Sequence, residues 1–219
     1  MFHSTMVNML VEGTIATIYM TVASTVLGYL FGLPMGIILT VTDKDGIKPN
    51  ALIYKILDFF ANTVRSIPFL ILMILLIPLS RFLIGKSYGS TATIITLVVA
   101  AAPYIARMVE SSLKEVDAGV IEAARSMGAS NFDIVFKVML VEARTSLIVG
   151  ATITLGTILG YSAMAGTLGG GGLGDIAVRY GYHRYDAVIM AITVIILIIL
   201  FQIFQTLGMK IASSLDRRK

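Results

Sequence analysis

Long stretches without a charge dominate the pattern of this chain. Gly13 to Thr42, Ser87 to Ala106, Thr145 to Gly174 and Ala187 to Met209 each run free of acidic and basic residues. A bilayer core of ~30 Å needs about 20 apolar helical residues, because each rises ~1.5 Å and unpaired backbone groups in lipid are costly. All four stretches meet that length. A fifth, Leu57 to Ser80, carries Asp58 and Arg65 near its start. Its charge-free part, Ser66 to Ser80, is too short to span alone, so the reading requires a helix that continues back through Arg65 or joins one lying at the membrane surface. The fold expected is all-α: a polytopic bundle of about five transmembrane helices, forming one membrane domain over residues 1–219.

Composition agrees with lipid as the main solvent. Apolar residues make up 57% and charged residues 14% of the chain, and the mean hydropathy is +0.88, whereas a soluble domain carries roughly 25% charge. The net charge of +4 does not point to nucleic acid, since the basic residues fall between hydrophobic runs instead of gathering on one surface. Five spans sort Lys and Arg into two sets. One side receives four, Arg81, Lys86, Arg179 and Arg184; the other receives twelve, among them Lys44, Lys48, Lys55 and the five between Arg107 and Arg144. The positive-inside rule then predicts an external N-terminus, a cytoplasmic C-terminus and a cytoplasmic loop over Arg107–Arg144.

Small residues mark where helices approach. Gly28, Gly32 and Gly36 form a small-xxx-small stripe, and Gly156 and Gly160 repeat the spacing; static helix packing explains both without any transport role.

The long polar loop holds the clearest local signals. Ser112 with Glu115 fits a capping box, and Asp117 is suited to cap the next start. Apolar residues then recur at helical spacing through Val120–Met127, and Gly128 suits a left-handed C-terminal cap. Ser130 with Asp133 opens a second helix through Phe132, Val135, Phe136 and Leu140. The product is a helix, a tight turn and another helix, joined to membrane spans at both ends.

Glu122-Ala123-Ala124, with Gly128 six residues after the glutamate, resembles the EAA motif of permease subunits of binding-protein-dependent ABC importers. The resemblance covers about residues 10–208. Gly160–Gly166, with Tyr161, Ser162 and Met164, and Arg65-Ser66-Ile67-Pro68-Phe69 are similar to stretches of the methionine permeases within that family. Where the family has a downstream apolar pair ending in proline, the matching stretch here is Val138-Met139-Leu140-Val141, and Val141 in the proline position predicts a straighter second helix. What the resemblance implies is a type I importer permease in a bacterial inner membrane, working as a homodimer. Glu122, Ala123, Ala124 and Gly128 would form the coupling element for two separate ATPase subunits, which bind ATP and Mg2+. An extracytoplasmic binding protein or lipoprotein would deliver the amino acid, and Tyr161, Ser162 and Met164 would border its path. Another solute, a channel or a secondary transporter are the alternatives.

Other motifs lack their context. The run Gly169–Gly174 matches a dinucleotide fingerprint by letter but adjoins a membrane span, and so reads as a turn. Gly85-Lys86-Ser87 lacks the first glycine of a P-loop, whose position Ser80 occupies. Cysteine is absent and the two histidines lie far apart, so neither thiol chemistry nor a metal centre is expected. No catalytic constellation is visible, and no cofactor is expected in this chain.

Overall fold

The computed structural model describes residues 2–215. α1 (Phe2–Thr42) is followed by α2 (Ala51–Ser66), α3 (Phe69–Ile84) and α4 (Ser90–Lys114). α5 (Ala118–Ser126) leads into α6 (residues 131–142), whose middle, Ile134–Met139, is π-helical. α7 (Arg144–Ala165), α8 (residues 172–182) and α9 (Ala187–Leu215) complete the chain. α1, α4, α7 and α9 are each long and apolar enough to cross a membrane, and α2 with α3 makes a fifth, bent candidate.

α1 and α4 form the main internal contact, and glycine makes it possible. A Cβ on Gly32 would lie 2.6 Å from the carbonyl oxygen of Ala102, and one on Gly36 would lie 2.6 Å from that of Ala106. These are backbone atoms, which cannot swing away. At Gly28 the nearest atoms are side-chain tips, Ile105 Cδ1 at 2.9 Å and Ala101 Cβ at 3.2 Å. Gly36→Ala therefore destabilises the purified permease by about 1–3 kcal/mol through overpacking, and Gly28→Ala by distinctly less. Thermal unfolding of the two variants checks the order, and equal effects would contradict this account. The second glycine pair is not equivalent: Gly156 receives the edge of Phe201, whereas among the described residues nothing outside its own helical turn lies within 4 Å of a Cβ on Gly160.

Two boundaries differ from the charge-free stretches of the sequence. α4 continues past Ala106 to Lys114, because Val109 and Leu113 are buried against the bundle. Ser112 is therefore inside a helix and caps nothing; its hydroxyl pairs instead with that of Ser146, at 2.9 Å. The α-helix of the fourth span ends at Ala165 and the span itself at Leu168, short of Gly174, and the glycine run turns the chain back as its sequence predicts. Gly169, Gly171 and Gly172 all have φ between +76° and +79°, a region that side chains with a Cβ avoid. The turn lets α8 tuck against the bundle, where the Leu173 N–H donates to Thr17 Oγ1 at 2.9 Å.

The fifth candidate, α2 with α3, is broken at Ile67-Pro68, where the two helices are bent by 110°. Proline disfavours helical geometry in the residue before it, and Ile67 is accordingly extended, at φ −83° and ψ 124°. α2 is not a detached surface helix. Its stripe Tyr54, Asp58, Ala61 and Val64 turns inward, with Ala61 fully buried.

Candidate functional site: a helical hairpin and an ionic hub

The hairpin between α4 and α7 is built by its caps. Asp117 Oδ1 accepts the Gly119 N–H at 2.7 Å and starts α5. At the other end Gly128 has φ +83°, and the N–H groups of Gly128 and Ala129 donate to the carbonyls of Arg125 and Ala124 at 3.0 and 3.1 Å. That double bond pattern is a Schellman closure, which needs a residue tolerant of the left-handed region. Ser130 then caps α6 by accepting the Asp133 N–H at 3.2 Å. The carboxylate of Asp133 is held below the ordinary range by Lys137 first, at 2.5 Å, and by Ser130.

The hairpin has an inner and an outer face. Ala124 is buried with Ile134, Val135 and Met139 in the main hydrophobic core, which fixes α5 against α6. Glu122, Ala123 and Gly128 face outward. Beside them stand exposed apolar side chains: Val120, Met127 at 82% exposure, Phe132 and Phe136. The two phenylalanine rings stack with centroids 4.4 Å apart. The hydrogen-bond ladder of α6 widens over Ile134–Met139. Such a segment re-aims the side chains of the turn that carries it.

Behind the hairpin lies an ionic hub that sequence reasoning missed. Glu110, 4% exposed, accepts from Arg107 Nη1 at 2.6 Å, from Lys114 Nζ at 2.8 Å and from the Tyr54 hydroxyl at 3.3 Å. Arg107 also bonds Asp58 and, at 3.0 Å, Asn62 on α2. Lys114 reaches Asp43 beyond the end of α1 at 2.6 Å, and this contact is the first cause of the lowered pKa of Asp43. The i, i+3 and i, i+4 spacing of Arg107, Glu110 and Lys114 was a readable signal; its joining of α1, α2 and α4 was not. Arg125 of α5 completes the connection by donating to the Ile47 carbonyl at 3.4 Å. The hairpin is thus tied both to the core and to the α1–α2 loop.

The three residues expected beside a substrate path part company. Met164 is exposed. Tyr161 is half-buried and its ring stacks on Phe69 of α3, with centroids 4.5 Å apart and planes at 3°. Ser162 is 1% exposed, and its hydroxyl donates to the Leu159 carbonyl at 2.8 Å. It is turned into the protein, away from the face that Gly160 and Met164 share. The i−3 contact satisfies a hydroxyl that would otherwise be stranded among apolar neighbours.

This architecture has close counterparts. Residues 32–210 match the family model described as binding-protein-dependent transport system inner membrane component. A probable D-methionine transport system permease protein of Vibrio cholerae is 46% identical over 211 residues, 96% of this chain and 94% of that one. The D-methionine transport system permease protein of Escherichia coli K12 is 48% identical over 158 residues, 72% of this chain and 73% of its own length. A solved inward-facing conformation of the MetNI methionine ABC transporter superposes with a TM-score of 0.95 at 45% identity, covering 97% of this chain and 98% of that one. With its multi-pass apolar bundle and its capped hairpin, the chain belongs to the family of binding-protein-dependent transport inner membrane components.

Proposed function

We propose that this chain is the pore-forming permease of an ATP-driven importer for methionine, acting as a homodimer over two ATPase subunits. The observation that carries the reading is the α5–α6 hairpin. It is braced on its inner face by Ala124, closed by Gly128, and presents Glu122, Ala123, Met127 and Phe132 outward as a surface for another protein. The distribution of Lys and Arg supports a cytoplasmic hairpin and C-terminus and an external N-terminus. The identity to methionine permeases supports the substrate.

In this reading ATP and Mg2+ act in the partner ATPases, and their closure moves the hairpin as a lever. Movement passes through Ala124 to the core and through Arg125 and the Glu110 hub to α1, α2 and α4. The bundle then alternates its opening between the two sides, as rigid elements with two arrangements. An external binding protein delivers the amino acid. Met164 and Tyr161 border the path, with Ser162 supporting their helix from within.

The test is ATP hydrolysis and uptake by the complex reconstituted in proteoliposomes, with its binding protein, across a panel of amino acids. Methionine is expected to stimulate hydrolysis and to accumulate. Stimulation by a different amino acid but not by methionine would overturn the substrate, and uptake by the permease alone would overturn the importer.

A further inference from the structure

The feature that the functional reading leaves unused is Arg65. Sequence alone places it with Asp58 near a membrane boundary, as an anchor or an ion pair. The structure separates the two. Asp58 is taken by Arg107, and Arg65 has no ion-pair partner among the described residues. Its side chain is exposed on the surface of the isolated chain.

Its depth follows from the contacts of α2. Tyr54 meets Glu110, and one turn later Asp58 meets Arg107, so α2 runs antiparallel to α4. Arg65 stands seven residues beyond Asp58, about 10 Å further along the helix. Just past the break, Phe69 stacks on Tyr161 of α7. Tyr161 is itself 15 residues, about 22 Å, from Ser146, which pairs with Ser112 at the charged end of α4. Both measures place Arg65 beside the charge-free part of α4, inside the apolar layer.

A cation at that depth is costly when it faces lipid and is normally found against protein or water. The surface of α2 shows which applies. At 100° per residue, the exposed Arg65, Asn62, Lys55 and Ser66 fall within one arc of about 100°, bordering the inward stripe that holds Asp58. The exposed Leu52, Ile56, Phe59 and Phe60 occupy the other outward side. One side suits lipid, and the polar arc suits a water-filled path. A guanidinium on such a wall is a fork of fixed geometry that matches a carboxylate through paired, charge-assisted hydrogen bonds.

We propose that Arg65 contacts the substrate, its guanidinium taking the α-carboxylate of the amino acid as it passes the α2–α3 break. This rests on the importer reading above and adds the group that recognises the backbone of the cargo. The position also suits a gate: Pro68 and the Phe69–Tyr161 stack lie within one turn of the charge, so a bound carboxylate sits where the broken span hinges.

The experiment uses the complete importer in proteoliposomes. Arg65→Gln lowers methionine uptake about ten- to a hundred-fold, the loss expected for charge-assisted hydrogen bonds, and Arg65→Lys retains a measurable part. Co-purification with the ATPase reports that each variant is assembled. Because the chain contains no cysteine, Arg65→Cys gives each permease copy a single thiol for a charged methanethiosulfonate reagent. That thiol reacts, methionine slows the reaction, and Phe60→Cys on the apolar face stays unreactive. Uptake by assembled Arg65→Gln within about two-fold of the unmodified importer, or a thiol at 65 as inert as one at 60, overturns the proposal. If the unmodified importer accumulates another amino acid instead of methionine, the substrate reading fails. Arg65 keeps its role only if Arg65→Gln abolishes uptake of that amino acid too.

Discussion

Replacing Glu110 with alanine lowers the thermal midpoint of the purified permease by roughly 6–12 °C, the shift expected for about 3 kcal/mol in a chain of this size. The carboxylate is nearly inaccessible and is shared by two cations from its own helix and the Tyr54 hydroxyl of α2. Its removal leaves Arg107 with Asp58 and Asn62, and Lys114 with Asp43, so neither cation is wholly abandoned. That is why the expected cost lies at the low end for breaking a buried pair. Glu110→Gln, which keeps the shape and one acceptor, shifts the midpoint less. A midpoint within about one degree of the unmodified protein in Glu110→Ala would show that the hub contributes no stability.

The second large effect is on transport. Gly128→Pro forces φ to about −65° where the chain holds +83° and removes the N–H that donates to Arg125. The Schellman closure opens and the angle between α5 and α6 is lost. Apart from its chain neighbours, no atom of the described residues lies within 4 Å of a Cβ there, so the damage stays in the hairpin. Uptake by the reconstituted importer falls by at least about ten-fold, equivalent to more than about 1.4 kcal/mol in coupling, while the membrane bundle keeps its helicity and melting behaviour. Glu122→Lys reverses the charge of an outward residue and has the same direction of effect. ATPase assembly and methionine uptake at unmodified levels in either variant would refute the coupling role of the hairpin.

The two results would separate the parts that the fold joins. Glu110 secures α4 to α2 behind the hairpin, so its loss appears first as instability. Gly128 shapes the outer turn, so its loss appears first as failed transmission. A third class, the Arg65 variants, loses transport with both of those parts intact.

Much of this was written locally along the chain. The spans were legible because lipid admits only long apolar stretches with internally paired backbones, and the caps at Asp117, Gly128 and Ser130 were legible because each is satisfied within a few residues. The EAA stretch and the tolerance of Gly32 and Gly36 for close neighbours belong to the same group. Where one helix stops because of another, local signals failed. Ser112 has the spacing of a capping box, yet burial of Val109 and Leu113 carries α4 through it. Ser162 faces inward though it lies between two pathway candidates. Asp58 and Arg65 look like partners seven residues apart, but Arg107, 49 positions from Asp58, takes the aspartate and leaves the arginine at depth. Local pattern determines which segments are helical and which residues cap them, because those energies are settled within a turn or two. Tertiary packing decides which polar groups meet and which face a path, because the cost of a buried charge depends on neighbours that only the folded bundle brings within reach.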